Sequence, residues 1–265
     1  FRSPADEQTR LAIAQDLEQN GHVFGYEALC RRINGEEFWA ALFGRVLRDP
    51  ETRELIIEGS LVDITAKKES EERLQFLARH DPLTHLLNRS EMERRLTRAL
   101  QQAHEGKARH VFLFLDLDQF KVVNDTCGHQ AGDELLRQLA ALFQRHLRSR
   151  DALARLGGDE FGILFEHCLI DDAVEIAEAL RREVTEYRFC WNDKVFRVGA
   201  SIGVVPITAD NKSMDEILSL ADIACYAAKD GGRNQVVVHN ESRRDLSRRQ
   251  TDMELVAIIK EAIQN

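Results

Sequence analysis

With 265 residues, 43% of them hydrophobic and 31% charged, the chain has the make-up of a folded globular protein, long enough for one substantial core and a smaller second unit. A formal net charge of −9 disfavours nonspecific binding to DNA or RNA, which needs basic surface to release counterions. The five cysteines, Cys30, Cys127, Cys168, Cys190 and Cys225, are scattered and form no C-x-x-C pair, which speaks against a disulfide framework or a zinc site and suits a reducing compartment.

Three strands open the chain: Phe24 to Ile33, Glu37 to Leu47 and Glu54 to Ile64. Asn34-Gly35 marks the first hairpin turn and Asp49-Pro50 a second reversal. Three antiparallel strands alone make a poor core. The run RINGEEFWAALFGRVLRDPETRELIIEGSLVDIT, closing on Asp63-Ile64-Thr65, resembles the last half of a PAS sensor domain, which implies a partial antiparallel sheet over residues 1–65. The helices that enclose a ligand in that family are not read in this stretch.

Residues 66–80 follow as a charged linking helix, Ala66 to Arg79, with Leu74, Leu77 and Ala78 on one face and a stop at Asp81-Pro82. It fits a solvated connector and a short parallel coiled coil between paired subunits equally well.

From Asp81 to about Asn240 helices and strands alternate. Val111 to Leu117 reads as a buried strand and Ala131 to Leu147 as a helix. Ala152 to Leu156 and Phe161 to Phe165 form a hairpin around Gly157-Gly158. Asp171 caps a helix to Tyr187, Val195 to Val205 is a strand, Ser213 and Glu216 box the start of a helix to Lys229, and Gln235 to His239 is a last strand. The fold class expected is α/β (α+β), a mixed central sheet surrounded by helices. Residues 241–265 read as a further helix with Leu246, Met253, Leu255, Ile258, Ile259 and Ile263. The apolar run Val111 to Leu115 is too short to span a bilayer, and the N-terminus lacks a signal-peptide pattern. Because Phe1 is not a natural start, the chain is expected to be a cytoplasmic portion of a longer protein, with any membrane anchor lying upstream.

Two acidic clusters carry the chemistry. Asp116 follows five apolar residues at the end of the expected central strand, where an unpaired carboxylate is costly. Asp118 lies two residues on and points to the same side if the strand continues; the two fit acids that end a strand as well as a site. Gly157 and Gly158 can take positive φ and admit a ligand to the backbone, with Asp159 and Glu160 at the hairpin tip. Acids on two strand ends of one sheet can converge as a divalent metal site, since Mg²⁺ takes hard oxygen ligands and substrate phosphates.

Gly157-Gly158-Asp159-Glu160-Phe161 matches the signature of the GGDEF diguanylate cyclases. DPLTHLLNR at Asp81 to Arg89, DLDQFKVVND at Asp116 to Asp125, GHQAGDELL at Gly128 to Leu136 and ADIACYAAKDGGRN at Ala221 to Asn234 complete the pattern over residues 81–240. The resemblance implies a sheet similar to the palm of nucleotidyl cyclases, and an enzyme that condenses two GTP into cyclic di-GMP. It places Mg²⁺, or Mn²⁺ in its stead, on Asp116, the Leu117 carbonyl, Asp159 and Glu160, with Asp159 or Glu160 assisting as general base. Lys121, Lys229 and Arg233 would neutralise the triphosphate beside Gly158, Asn124 and Asp133 would read guanine, and His129 would line the nucleotide site. Asp133 also fits an acid near a helix start, and a carboxylate there suits the N–H edge of guanine and not adenine.

One GTP per domain implies a homodimer. Arg148 and Asp151, an R-x-x-D ahead of the signature, are identified by the same resemblance with an inhibitory site for product. Ala179 stands where the family often has a further arginine, a part that Arg181 or Arg182 could take. A catalytically silent GGDEF domain that regulates an attached phosphodiesterase is the competing reading, disfavoured because the catalytic residues are intact. The tail from Glu241 resembles a connection to an EAL phosphodiesterase domain.

Overall fold

Residues 1–76 and 77–265 form separate units of the computed structural model, which describes residues 2–4, 7–51, 53–106 and 108–239. The expected helix from Glu241 lies outside the described residues. In the first unit, β1 (Arg2–Pro4), β2 (His22–Arg31), β3 (Glu37–Arg48) and β4 (Leu55–Asp63) make an antiparallel sheet in chain order. Gly35, at φ +93°, turns β2 into β3 while the Asn34 side chain accepts from the Glu36 N–H at 3.1 Å. Ala28, Cys30, Phe38 and Ala40 form its small core.

The sequence reading gave no element before Phe24, yet β1 and α1 (Glu7–Asn20) precede β2. The apolar residues of α1 make no single stripe: Leu11 is 58% exposed, whereas Leu17 lies against Gly44. The linking helix α2 spans Thr65–Leu77 and buries no residue, leaving Leu74, Phe76 and Leu77 exposed. Thr65 starts it by accepting from the Trp39 N–H at 3.0 Å while its own N–H donates to the Asp63 carboxylate at 3.0 Å.

The second unit is built on a five-stranded sheet whose centre is β5 (His110–Asp118). Beside it stand β10 (Gly199–Ile207) and β7 (Glu160–Phe165), with β11 (Val236–Val238) and β6 (Ala152–Gly157) at the edges. Only β11 against β10 is parallel; every other pairing is antiparallel, so the sheet is mixed as expected. All nine residues of β5 are buried. Val111, Leu113, Leu115 and Leu117 face one core with α5 (His129–Gln144) and α6 (Ile170–Glu186). Phe112 and Phe114 face the other with α3 (Arg89–His104) and α7 (Met214–Asp230). Helices on both faces explain why β5 reads as an unbroken apolar run. No helix among the described residues is long and apolar enough to cross a membrane.

Four local readings need correction. An unpredicted helix, α4 (Phe120–Cys127), follows β5 directly, because Gln119 takes the left-handed conformation at φ +63° and turns the strand into a helix without a glycine to mark it. In consequence α5 begins at His129, and Leu147 lies beyond its end. The single strand expected from Val195 to Val205 is a hairpin, β8 (Phe189–Trp191) and β9 (Lys194–Phe196), followed by β10; Asn192 and Asp193, both at positive φ, turn it. Asp171 lies in the first turn of α6, whose N-cap is Leu169. The box at α7 holds in part: Ser213 Oγ accepts from the Glu216 N–H, while the Glu216 carboxylate accepts from Lys212.

Helix α3 is fixed at its start by a buried acid. Asn88 caps it by accepting from the Glu91 N–H at 3.0 Å, and the Glu91 carboxylate takes Arg94 at 2.6 Å and Arg95 at 3.2 Å. The Arg94 hydrogen bond, opposed by burial and reinforced by Arg95, lowers the Glu91 pKa to about 2. The depressed value means that this contribution is complete above about pH 4.5 and fades as pH falls toward 2. Glu91→Gln is therefore expected to cost about 1–2 kcal/mol at pH 7, allowing for screening at the exposed Arg94. In urea melts the gap from wild type should narrow steadily below pH 4.5; a gap constant down to pH 2.5 would refute the assignment.

Candidate active site

Strand register brings the two acidic clusters together. Asp116 is the direct partner of Glu160 across β5 and β7, and the Leu117 N–H donates to the Asp159 carbonyl at 3.3 Å. Asp116 is 9% exposed and forms an ion pair with Lys229 Nζ at 2.6 Å. Burial raises its pKa; Lys229 opposes the shift, and Asp159 and Asp118 add to it. Burial works against the charge on Lys229, but Asp116 outweighs it and holds that pKa above the usual lysine value. Glu160 is raised by burial, with Arg89 opposing and Asp116, Asp159 and Asp222 adding. Carboxylates that destabilise one another at a hairpin mouth are suited to a hard divalent cation. Among the described residues, no three His, Cys, Asp or Glu side chains already stand in metal-binding geometry.

The hairpin is tied from outside. Of its two glycines only Gly158 takes positive φ, at +47°, and Gly157 ends β6. Arg155 donates to the Gly158 carbonyl at 3.0 and 2.8 Å and reaches the Asp81 carboxylate at 3.3 Å. Asp81 also accepts from the Thr84 N–H and hydroxyl, each at 2.8 Å. Arg89 donates to the Leu156 carbonyl at 3.1 Å and lies 3.7 Å from Glu160. These arginines were missed as site residues: Arg155 and Asp81 are 74 positions apart, and nothing local marks their pairing.

Asp118 stays on the strand and is buried. Its Oδ1 accepts from Ser201 Oγ at 2.8 Å and its Oδ2 from the Asn234 N–H at 2.9 Å. The second bond clamps the turn Gly232-Arg233-Asn234, whose φ values are +116°, +64° and +46°. That turn carries Arg233 and follows directly on the helix end that carries Lys229.

The remaining predicted residues sit on α4 and α5. Lys121 is exposed on the first turn of α4, and His129 is exposed at the first position of α5. Asn124 Oδ1 is buried without a partner and lies so close to Gly132 that an added Cβ would come within 2.0 Å of it. The half-buried Asp133 is the next residue, so the structure brings Asn124 and Asp133 to neighbouring turns of packed helices. Arg148 and Asp151 are in the turn before β6, not on the strand, and the Asp151 carboxylate accepts from the Arg148 N–H at 2.9 Å. Ala179 is half-buried on α6, while Arg181 is committed to Glu178 and to the Asn234 carbonyl.

The family described as diguanylate cyclase, GGDEF domain, matches residues 78–235, more than half of the chain. The chain belongs to the GGDEF family. The probable diguanylate cyclase DgcE of Escherichia coli K12 is 48% identical over 177 residues, covering 67% of this chain and 16% of DgcE. MucR of Pseudomonas aeruginosa PAO1, a bifunctional diguanylate cyclase/cyclic di-GMP phosphodiesterase, is 43% identical over 159 residues, 60% of this chain and 23% of MucR. The chain thus spans under a quarter of these relatives. In three dimensions the GGDEF unit is similar to the coiled coil and GGDEF domain of DgcB from Caulobacter crescentus, solved in complex with c-di-GMP. The TM-score is 0.61 at 31% identity, over 66% of this chain and 93% of that one.

The Asp118 clamp yields a direct expectation. Asp118→Ala strands the Ser201 hydroxyl and the Asn234 N–H, and should cost about 2–3 kcal/mol. It should also speed hydrogen exchange at the Asn234 amide more than at helix α5. Equal protection at Asn234 in both proteins would show that the turn holds itself.

Proposed function

We propose that this chain is an active diguanylate cyclase that joins two molecules of GTP into cyclic di-GMP. The observation that carries the reading is the buried Asp116, opposed in register to Glu160 and counter-charged by Lys229 at 2.6 Å beneath the Gly158 turn. A structural acid pair has no need of that crowding. Asp116, the Leu117 carbonyl, Asp159 and Glu160 would hold Mg²⁺ or Mn²⁺, which when bound lowers the charge barrier at phosphate and the pKa of an attacking hydroxyl.

The chain's own residues then have distinct tasks. Lys229 and Arg233, set by the α7 end and the clamped turn, face the triphosphate with Lys121, and Gly158 lets phosphate approach the backbone. Asp133 accepts from the N1–H and N2–H groups of guanine, a pairing that adenine cannot offer, and Asn124 and His129 complete the base site. Asp159 or Glu160 takes the proton from the 3′-hydroxyl. The 3′-oxygen attacks the α-phosphorus of the second GTP, the bond to pyrophosphate breaks, and a second round closes the ring. Each copy of the second unit presents one such site, so two copies of the chain must face each other. The exposed apolar residues of α2 support pairing through that helix, and the resemblance of the first unit to a PAS domain makes it the sensor side.

Asp159→Asn should lower cyclic di-GMP synthesis from GTP and Mg²⁺ by about 10³-fold with an unchanged melting temperature. Asp116→Asn should do the same with a small loss of stability, because the half-buried Lys229 loses its counter-charge. Activity within a few-fold of the parent at saturating Mg²⁺ would show that other carboxylates act.

Arg148 and Asp151 form the product site in this reading, since a guanidinium forks to phosphate or to a guanine edge. Product held there favours separated half-sites and slows turnover by differential binding. Arg148→Ala should raise the late yield several-fold over wild type, and enzymatic removal of product should bring the two progress curves together. Equal inhibition of both proteins by added cyclic di-GMP would reduce the motif to a surface turn.

A further inference from the structure

Three consecutive residues after α7 have positive φ: Gly232 at +116°, Arg233 at +64° and Asn234 at +46°. Glycine takes such a backbone freely and asparagine tolerates it, but arginine meets the ordinary steric penalty of a left-handed residue. Backbone of this kind persists only where its surroundings hold it. Arg233 is exposed, and its guanidinium has no hydrogen-bond or ion-pair partner among the described residues. Its direction is therefore set by the backbone that carries it.

That backbone is held from three directions. The Arg233 N–H donates to the Ala228 carbonyl at 3.0 Å, and the Gln235 side-chain amide donates to the same carbonyl at 2.7 Å, which ties the turn to the end of α7. Asp118 takes the Asn234 N–H from the side of β5. These bonds leave the far side of Asn234, its carbonyl and its side chain, to be fixed by something else. Helix α6 takes both groups. The Thr185 hydroxyl donates to Asn234 Oδ1 at 2.8 Å, sharing its one hydrogen with the Arg181 carbonyl a turn back, also at 2.8 Å. Arg181 Nη1 donates to the Asn234 carbonyl at 3.4 Å, while Glu178 keeps its Nε at 2.8 Å. Thr185 and Arg181 are half-buried and one helical turn apart, so the same helix face reaches one residue twice.

We propose that Thr185 and Arg181 are positioning residues for the triphosphate: by holding Asn234 they fix the direction in which Arg233 presents its guanidinium to GTP. This role rests on the phosphate contact proposed above for Arg233. A guanidinium aimed in advance loses less freedom on meeting phosphate than one on a loose turn, so the gain appears as affinity for the nucleotide.

The test is binding of 3′-deoxy-GTP with Mg²⁺ to the full chain, since this nucleotide keeps the triphosphate and lacks the attacking hydroxyl. Calorimetry gives the dissociation constants, with ligand-observed NMR where binding is weak. Thr185→Val removes the donor at nearly constant shape and should weaken binding about fivefold, the worth of one hydrogen bond, with an intact circular dichroism spectrum. Thr185→Ser keeps the hydroxyl and should bind as wild type does. In an Arg233→Ala background Thr185→Val should change nothing further, because the hydroxyl acts only through that guanidinium. Should Thr185→Val not fold, Arg181→Met is expected to show the same dependence on Arg233. If Arg233→Ala binds as wild type does, its phosphate role fails and the positioning role falls with it. If Arg233→Ala weakens binding and the folded Thr185→Val does not, the positioning role alone is overturned. A loss of equal size in both backgrounds, or one that Thr185→Ser shares, overturns it as well, since the threonine then acts on the fold and not through Arg233.

Discussion

Strand β5 is buried at every position, and a carboxylate placed in it must find a cation or strong hydrogen-bond donors. Asp116 finds Lys229, and this pair decides where the neighbouring elements stand. Lys229 can reach the strand because α7 packs directly on β10: a Cβ at Gly203 would come within 2.2 Å of the Ala221 carbonyl. Removing Lys229 leaves an uncompensated buried carboxylate, which costs far more than an exposed pair contributes, whereas removing Asp116 leaves a lysine that is still partly solvated. The same burial raises the Asp116 pKa and, through the strand register, sets Glu160 opposite. A carboxylate under that strain gains from any additional positive charge at the hairpin mouth.

The hairpin itself is held by segments distant in sequence. Leu87 accepts from the Arg155 N–H and donates to the Leu153 carbonyl, so the stretch after the linking helix docks along β6. Asp81 then restrains Arg155, which holds the Gly158 carbonyl, and Arg89 approaches Glu160. Backbone and guanidinium bonds thus fix the one glycine whose positive φ the turn requires. On the other flank Asp118 fixes the Arg233 turn, so both sides of the acidic centre rest on buried or half-buried hydrogen bonds rather than on loop stiffness.

Much of this was legible in the sequence wherever a local signal exists. The apolar run of β5, the Gly-Gly hairpin, the Ser213 cap and the amphipathic α5 and α6 each carry a periodicity or a turn residue that the structure uses. What escaped had no such mark. Helix α4 begins at a left-handed Gln119, the β8–β9 hairpin turns through Asn192-Asp193 without glycine, and α1 lacks an apolar stripe. The candidate site divides in the same way. The acids announced themselves by interrupting apolar runs, whereas the partners of Asp116 and of the Gly158 carbonyl depend on tertiary packing across long stretches of chain.

Asp116 and Asp118 show why residue type and spacing alone could not assign roles. Both are buried acids on one face of one strand, and the sequence left open whether they end a strand or build a site. Their partners separate them. Asp118 is saturated by Ser201 and by a backbone N–H, groups fixed by the sheet and the turn, so its bonds cannot be exchanged without unfolding that turn. Asp116 is met by the terminal ammonium of a lysine, a compact charge on a flexible stem that can withdraw as another cation enters. A carboxylate with fixed donors serves as a clamp, and a carboxylate with a mobile counter-charge is free to serve chemistry. The strand supplies both, two residues apart.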